Sequence, residues 1–148
     1  MTTLSRESVR LRAMLRRDSA ELRRLDTAAD SGETDFVRLG RLAVRLFATL
    51  VTNHFRPETS LAELSAFAVW VRQTFGPTLG VSAIVVEMVI RRELGESVPI
   101  DDLSDDLELT VMLSVSSLLV HRGGLLDAEL EELLLDMERA DAISQQGS

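Results

Sequence analysis

The sequence predicts an all-α fold, a single-domain bundle of about six helices, and three observations carry that reading. Apolar residues recur at helical spacing in six separate windows, each closed by glycine, proline or a polar loop. Between Val81 and Ile90 the run Leu79–Leu94 holds only two polar residues, Ser82 and Glu87, so apolar side chains point all round a helical wheel. Finally, 148 residues at 45% hydrophobic content suit one domain, 1–148, with a real core. The Leu79–Leu94 run is the fourth predicted helix, and helices four and five are placed at the centre of the bundle. It is too short to cross a bilayer, which takes ~20 apolar residues. No second strand candidate exists to pair with it, which decides for helix.

The first predicted helix runs roughly from Ser5 to Ala29. Leu4, Ser8, Leu11, Leu15, Asp18, Leu22, Leu25 and Ala29 follow 4-3 spacing, with Ser8 and Asp18 as polar breaches of the seam. Arg10, Arg17 and Arg24 recur every seven residues on the outer face, which reads as a solvated face or as a surface for an acidic partner. The loop Asp30–Asp35 follows. In the second helix, about Asp35 to Asn53, Phe36, Leu39, Ala43, Leu46, Phe47 and Leu50 form the apolar stripe. Arg38, Arg41 and Arg45 form a basic stripe, solvated or paired with the acidic C-terminal half. His54, just past that helix and before Arg56-Pro57, suits a negative helix terminus.

Ser60-x-x-Glu63 is a capping box opening the third helix, Leu61 to Phe75. Its buried face is Leu61, Leu64, Phe67, Ala68, Val71 and Phe75. Trp70, the only tryptophan, sits at the edge of that face, as a partly buried boundary residue or as an interface anchor. Gly76-Pro77 separates the third helix from the fourth. In the fourth, Glu87 lies beside Gly80, Ala83 and Ile84. It pairs with Arg91 at i+4 on a half-exposed side, or it is a polar point in an apolar pocket.

Gly95 ends that helix, and the longest connection follows. Asp101, Asp102 and Asp105 spell D-D-x-x-D, which resembles the Mg²⁺-diphosphate motif of helical prenyltransferases and terpene cyclases. In those families the motif sits inside a long helix lining a deep cavity, with a second metal motif in a longer chain. Here Asp105 and Asp106 fall where a helix begins, a place acids favour for electrostatic reasons, so no metal site is expected.

The fifth helix runs from Ser104 or Asp105 to His121. Thr110, Ser114, Ser117 and His121 share one stripe, either a close-packing face or the polar wall of a ligand pocket. Arg122-Gly123-Gly124 stops it. The sixth, Asp127 to about Ile143, carries Leu126, Leu130, Leu133, Met137 and Ala140 at 4-3 spacing among seven acids. Residues 1–4 and 144–148 are expected to be disordered ends.

Composition narrows function by exclusion. There is no cysteine, which rules out thiolate catalysis, disulfides and Cys-based zinc sites. All 16 basic residues are arginine. No N-terminal apolar run resembles a signal peptide, so a cytoplasmic location is expected. Net charge is −8 and unevenly spread: residues 1–56 hold eleven arginines against seven acids, whereas residues 57–148 hold five against seventeen. An acidic whole argues against nucleic-acid binding unaided, and the split favours docking of the two halves, within or between chains. No phosphate loop, catalytic triad or dinucleotide fingerprint is present, so neither an enzyme nor a cofactor is expected.

Two functions follow as expectations. The first is a non-catalytic interaction or regulatory protein, a homodimer or a binder of another protein, away from membranes. Its interface candidates are Leu11, Leu15, Asp18, Leu22, Trp70, Leu130, Leu133 and Met137. The second is a small-molecule sensor domain with a pocket between predicted helices four and five, lined by Glu87, Thr110, Ser114, Ser117 and His121.

Overall fold

The computed structural model describes residues 3–27, 34–56 and 58–146. They form seven α-helices and one 3₁₀ turn, with no strand among them: α1 (Arg6–Leu15), α2 (Ser19–Thr27), α3 (Phe36–His54), α4 (Leu61–Phe75), the 3₁₀ turn Gly76–Leu79, α5 (Ala83–Glu93), α6 (Asp105–Arg122) and α7 (Asp127–Gln146). The fold is therefore a single helical bundle, with one more helix than the pattern predicts.

The extra helix comes from a break in the first. Arg17 takes a left-handed conformation at φ 53°, the amides of Arg17 and Asp18 turn back to Met14 and Ala13, and α1 stops. Asp18 then starts α2 by accepting a hydrogen bond from the Glu21 amide at 3.1 Å. Asp18 is thus an exposed helix cap, not a polar breach in a continuous seam. The seam itself ends at Leu15, and α2 contributes no buried residue. The predicted end of the first helix at Ala29 and most of the Asp30–Asp35 loop lie outside the described residues, as do Pro57 and both extreme chain ends.

The centre of the bundle is α6 with α3, not α5 with α6. Nine of the residues in α6 are buried, and seven in α3. The two helices run side by side in the same direction: Asp105 and Glu108 lie across from Gly40 and Arg45, and Leu119 and Gly123 across from Leu50 and His54. In α5 only Val86, Val89 and Ile90 are buried, and Ile84 is 63% exposed. The apolar circumference of α5 overstated its burial because Leu79 and Val81 belong to the preceding turn, leaving a short helix that packs mainly on α4. Gly80 makes that turn possible: its φ is 78°, and a Cβ there would meet Leu107 of α6 at 2.9 Å.

The core stripes of α3 and α4 follow the sequence pattern through Leu39, Ala43, Leu46, Phe47, Leu50, Leu64, Phe67, Ala68 and Val71. The outermost predicted members, Phe36 and Leu61, are exposed at the helix starts. Along α7 the buried line is Leu130, Leu134 and Asp141, with Leu133 and Met137 half-buried, while Leu126 is exposed. Residues 144–146 are helical, and Ser144 accepts a hydrogen bond from Arg45 at 2.6 Å, which corrects the expectation of a disordered end from residue 144.

The opposed charges of the two halves meet inside this one chain. Asp141, with its side chain 4% exposed, faces Arg41 at 2.8 Å and Arg38 and Arg45 at 3.9 Å. Arg38 also holds Glu7 of α1 at 3.0 Å. Glu138 accepts from the Ser5 amide at 2.8 Å and the Ser8 hydroxyl at 2.7 Å, and Arg16 reaches Asp127 at 3.0 Å. These contacts run α7 antiparallel to α1 and seat it on α3. Leu11, Leu15 and Leu130 are fully enclosed in the resulting core, so they are not available as an interface between molecules. Among the described residues no single helix is long and apolar enough to cross a membrane.

Candidate functional site

A broad concave surface lies where the C-terminal ends of α3 and α6 meet α4. It is a cleft of about 840 Å³ lined by His54, Phe55, Thr59, Glu63, Ala66, Phe67, Trp70, His121 and Arg122. Each wall arises locally. Phe55 closes α3 and its amide caps the helix through Val51, which aims the ring inward. Ser60 accepts from the Glu63 amide at 3.2 Å, starting α4 so that Glu63, Ala66, Phe67 and Trp70 lie at i, i+3, i+4 and i+7 on one face. His121 and Arg122 are the last residues of α6 before the Gly123-Gly124 stop.

The floor is aromatic. Phe55 and Phe67 meet edge-on with centroids 5.2 Å apart, and Phe67 and Trp70 do so at 5.7 Å. His54 stands edge-on to Phe55 at 4.8 Å. The rim carries one arginine, Arg122, and one carboxylate, Glu63. The Arg122 guanidinium lies 5.8 Å over the half-exposed Trp70 ring, and among the described residues no carboxylate comes within ion-pair distance of it. Burial, and then the Arg122 charge, hold the His54 pKa below the ordinary histidine value, so its imidazole is neutral at pH 7. His54 is the last residue of α3, at the negative helix end the sequence suggests, and burial with the Arg122 charge works against its protonation there. Trp70 also borders a second cleft with Leu15, Arg17, Thr74 and His121, so it forms a ridge between two concavities.

Among the described residues the five predicted pocket residues are not brought together, since Glu87 stands apart from the α6 stripe. Glu87 accepts a hydrogen bond from Ser65 of α4 and faces that helix. Arg91 is only 4.0 Å from Glu87 and gives its two close bonds to Glu96, at 2.9 and 3.1 Å, because the turn after α5 brings Glu96 into a bidentate position. Thr110 and Ser114 bond back to the Asp106 and Thr110 carbonyls at 2.9 and 2.8 Å. Ser117 donates to the Leu15 carbonyl at 2.6 Å, tying α6 to α1. Thr110 and Ser114 thus belong to a packing face, whereas His121 lines both clefts and Ser117 lines the second one beside Leu15. Of the interface candidates, Trp70 lies in both clefts and the enclosed Leu15 borders the second, while Leu22 stands half-exposed on α2.

Asp101 and Asp102 sit in a turn and Asp105 and Asp106 in the first turn of α6, whose cap is Ser104. Among the described residues no three histidine or carboxylate side chains converge as metal ligands. His54, Phe55 and Arg122 were missed as site residues because they come from segments far apart in sequence. No protein-family model matches the chain, and neither the curated proteins nor the solved structures contain a significant match.

Proposed function

We propose that this chain is a non-catalytic interaction module that grips a segment of a partner protein in the Trp70 cleft. The observation that carries the reading is the Arg122 guanidinium, unneutralised by any carboxylate among the described residues and stacked on a half-exposed tryptophan above an aromatic floor. Such a surface suits a segment that inserts an aromatic or aliphatic side chain and presents a carboxylate to Arg122 and His121. Among the described residues neither histidine is hydrogen-bonded to a hydroxyl or carboxylate, which favours a binding role over a hydrolytic one.

The test is selection of a random peptide library on the intact protein, followed by calorimetry with the enriched peptides. The result expected is a consensus pairing an aromatic residue with an acid, with binding weakened at least tenfold by Arg122→Ala and by Trp70→Ala. Enrichment of peptides that bind both variants as well as the wild type defeats the proposal. A second reading, a small-molecule sensor, draws support from the cleft volume, which falls within the ~300–1,000 Å³ of ligand pockets. Phenylacetate serves as a probe: micromolar binding quenching the single tryptophan favours that reading, and binding only at millimolar concentration favours the peptide module.

A further inference from the structure

A separate groove of about 600 Å³ runs between α3 and α6 toward their N-terminal ends, whereas the Trp70 cleft lies at their C-terminal ends. Its floor is apolar, formed by Leu109 and Met112 of α6 and by Gly40 and Val44 of α3. Val44 is 43% exposed, and Val37, seven residues earlier on the same face, is also exposed. A Cβ placed on Gly40 would meet nothing within 4 Å, so the floor is open above that residue. An exposed apolar stripe on the helix that also forms the centre of the core is unusual for a surface facing only water.

The two walls carry opposite charge. The α3 wall holds Arg41 and Arg45, two cations that share one carboxylate, Asp141, at 2.8 and 3.9 Å, with Asp35 acting on Arg41 from farther away. The α6 wall holds Asp105 and Glu108. Glu108 pairs with Arg92, but Asp105 has no ion pair among the described residues. One wall thus has surplus positive charge and the other surplus negative charge.

We infer that this groove is a homodimer interface in which a second copy of the chain packs face to face across a two-fold axis running along the groove. The charge pattern selects that axis. Rotation about the groove direction lays α3 of each copy over α6 of the other, so each arginine wall meets an acidic wall and Val44 meets Leu109 and Met112. A two-fold axis across the groove would instead place arginine on arginine. Self-complementarity of this kind is what an isologous interface requires, and a partner of a single charge sign would be repelled by one wall. The seam candidates line none of it: Leu11, Leu15 and Leu130 are enclosed in the core, and the others lie outside this groove.

The absence of cysteine gives a test without background. Light scattering of the full chain at about 100 μM should give twice the chain mass; a monomer overturns the inference. Val44→Arg should yield a monomer with unchanged far-UV circular dichroism, and Asp105→Arg should weaken the dimer at least tenfold. A dimer that survives both substitutions overturns the inference. Because Val44→Arg could also disturb the fold, a third measurement stands apart from it. Oxidising a mixture of Val44→Cys and Leu109→Cys proteins should cross-link one to the other, whereas neither alone should cross-link to that extent. Equal cross-linking of Val44→Cys alone, or none in the mixture, overturns the proposed axis.

Discussion

At the scale of single residues, the buried polar groups among the described residues divide into those that are satisfied and one that is not. Asp141 is buried, and its pKa lies below the ordinary aspartate value because of the hydrogen bond from Arg41, against opposing burial and with help from Arg45 and Arg38. Asp141→Asn leaves the arginines without their central anion. Those arginines are about one-third exposed, so the cost falls below that of breaking a fully buried pair, at ~1–3 kcal/mol. Urea unfolding with an unchanged m-value measures it, and a loss under ~0.5 kcal/mol contradicts the role given to Asp141. Ser116 is the opposite case: its hydroxyl is buried in α6 with no hydrogen-bond partner among the described residues. Ser116→Ala should stabilise the fold by ~0.5–1 kcal/mol, since alanine leaves no polar group unsatisfied and favours helix. A destabilised variant would show that the hydroxyl has a partner.

Acid should act through His54, Asp141 and Glu138 in the same direction. The folded-state pKa of His54 is lowered, so the unfolded chain binds the proton more tightly and stability falls as pH drops through the ordinary histidine range. Asp141 is likewise lowered, so its contribution is present above the ordinary aspartate value and is lost as pH falls below it. Burial opposes ionisation of Glu138, but hydrogen bonds from Ser5 and Ser8 outweigh it and lower its pKa too. Denaturation midpoints between pH 8 and pH 3 should therefore decline in two stages, and His54→Gln should remove the upper stage only. An upper stage that persists in that variant assigns it elsewhere.

At the scale of elements, the break between α1 and α2 shows where the sequence was legible and where it was not. Asp18 and Glu21 spell an acid-x-x-Glu start signal in plain view, yet the apolar 4-3 spacing runs straight across it and reads as one helix. Geometry decides against the seam, because Leu22 and Leu25 would have to reach a core that α1, α3 and α6 already close. Asp18→Leu should therefore cost ~1 kcal/mol through the lost cap, with no tightening of association. Arg17→Gly should gain ~0.5–1 kcal/mol, the left-handed penalty being partly offset by glycine entropy and by the lost stacking of Arg17 on Phe75 at 5.3 Å. Thermal unfolding of the two variants checks both signs, and a stabilised Asp18→Leu refutes the cap. The stripes of α3 and α4 were legible because each helix buries one face. That of α5 was not, because an apolar circumference carries no record of which side is covered. The Trp70 cleft was legible only at Trp70 and His121, since its other walls meet through tertiary packing.

At the scale of the whole molecule, the charge split that favoured docking of two halves is resolved by α7 lying along α1 and α3. The contacts that join the halves are short, at 2.8–3.0 Å for Arg41–Asp141, Arg38–Glu7 and Arg16–Asp127, and two of them involve enclosed carboxylates. The surplus of acids in residues 57–148 is different in kind, for it is spread over α6, α7 and the loop before α6 and acts across longer distances. Salt screens the second far more than the first: the Debye length is about 10 Å at 0.1 M, several times a contact distance. Raising NaCl from about 0.02 M to 0.3 M should therefore raise the melting temperature, because long-range repulsion is relieved while contact pairs persist. Calorimetry in a low-charge buffer at pH 7.5, well above the His54 transition, isolates the effect. A fall in melting temperature over that range would mean that the ion pairs between the halves outweigh the repulsion, and that exposed pairs such as Arg16–Asp127 contribute more than surface pairs ordinarily do.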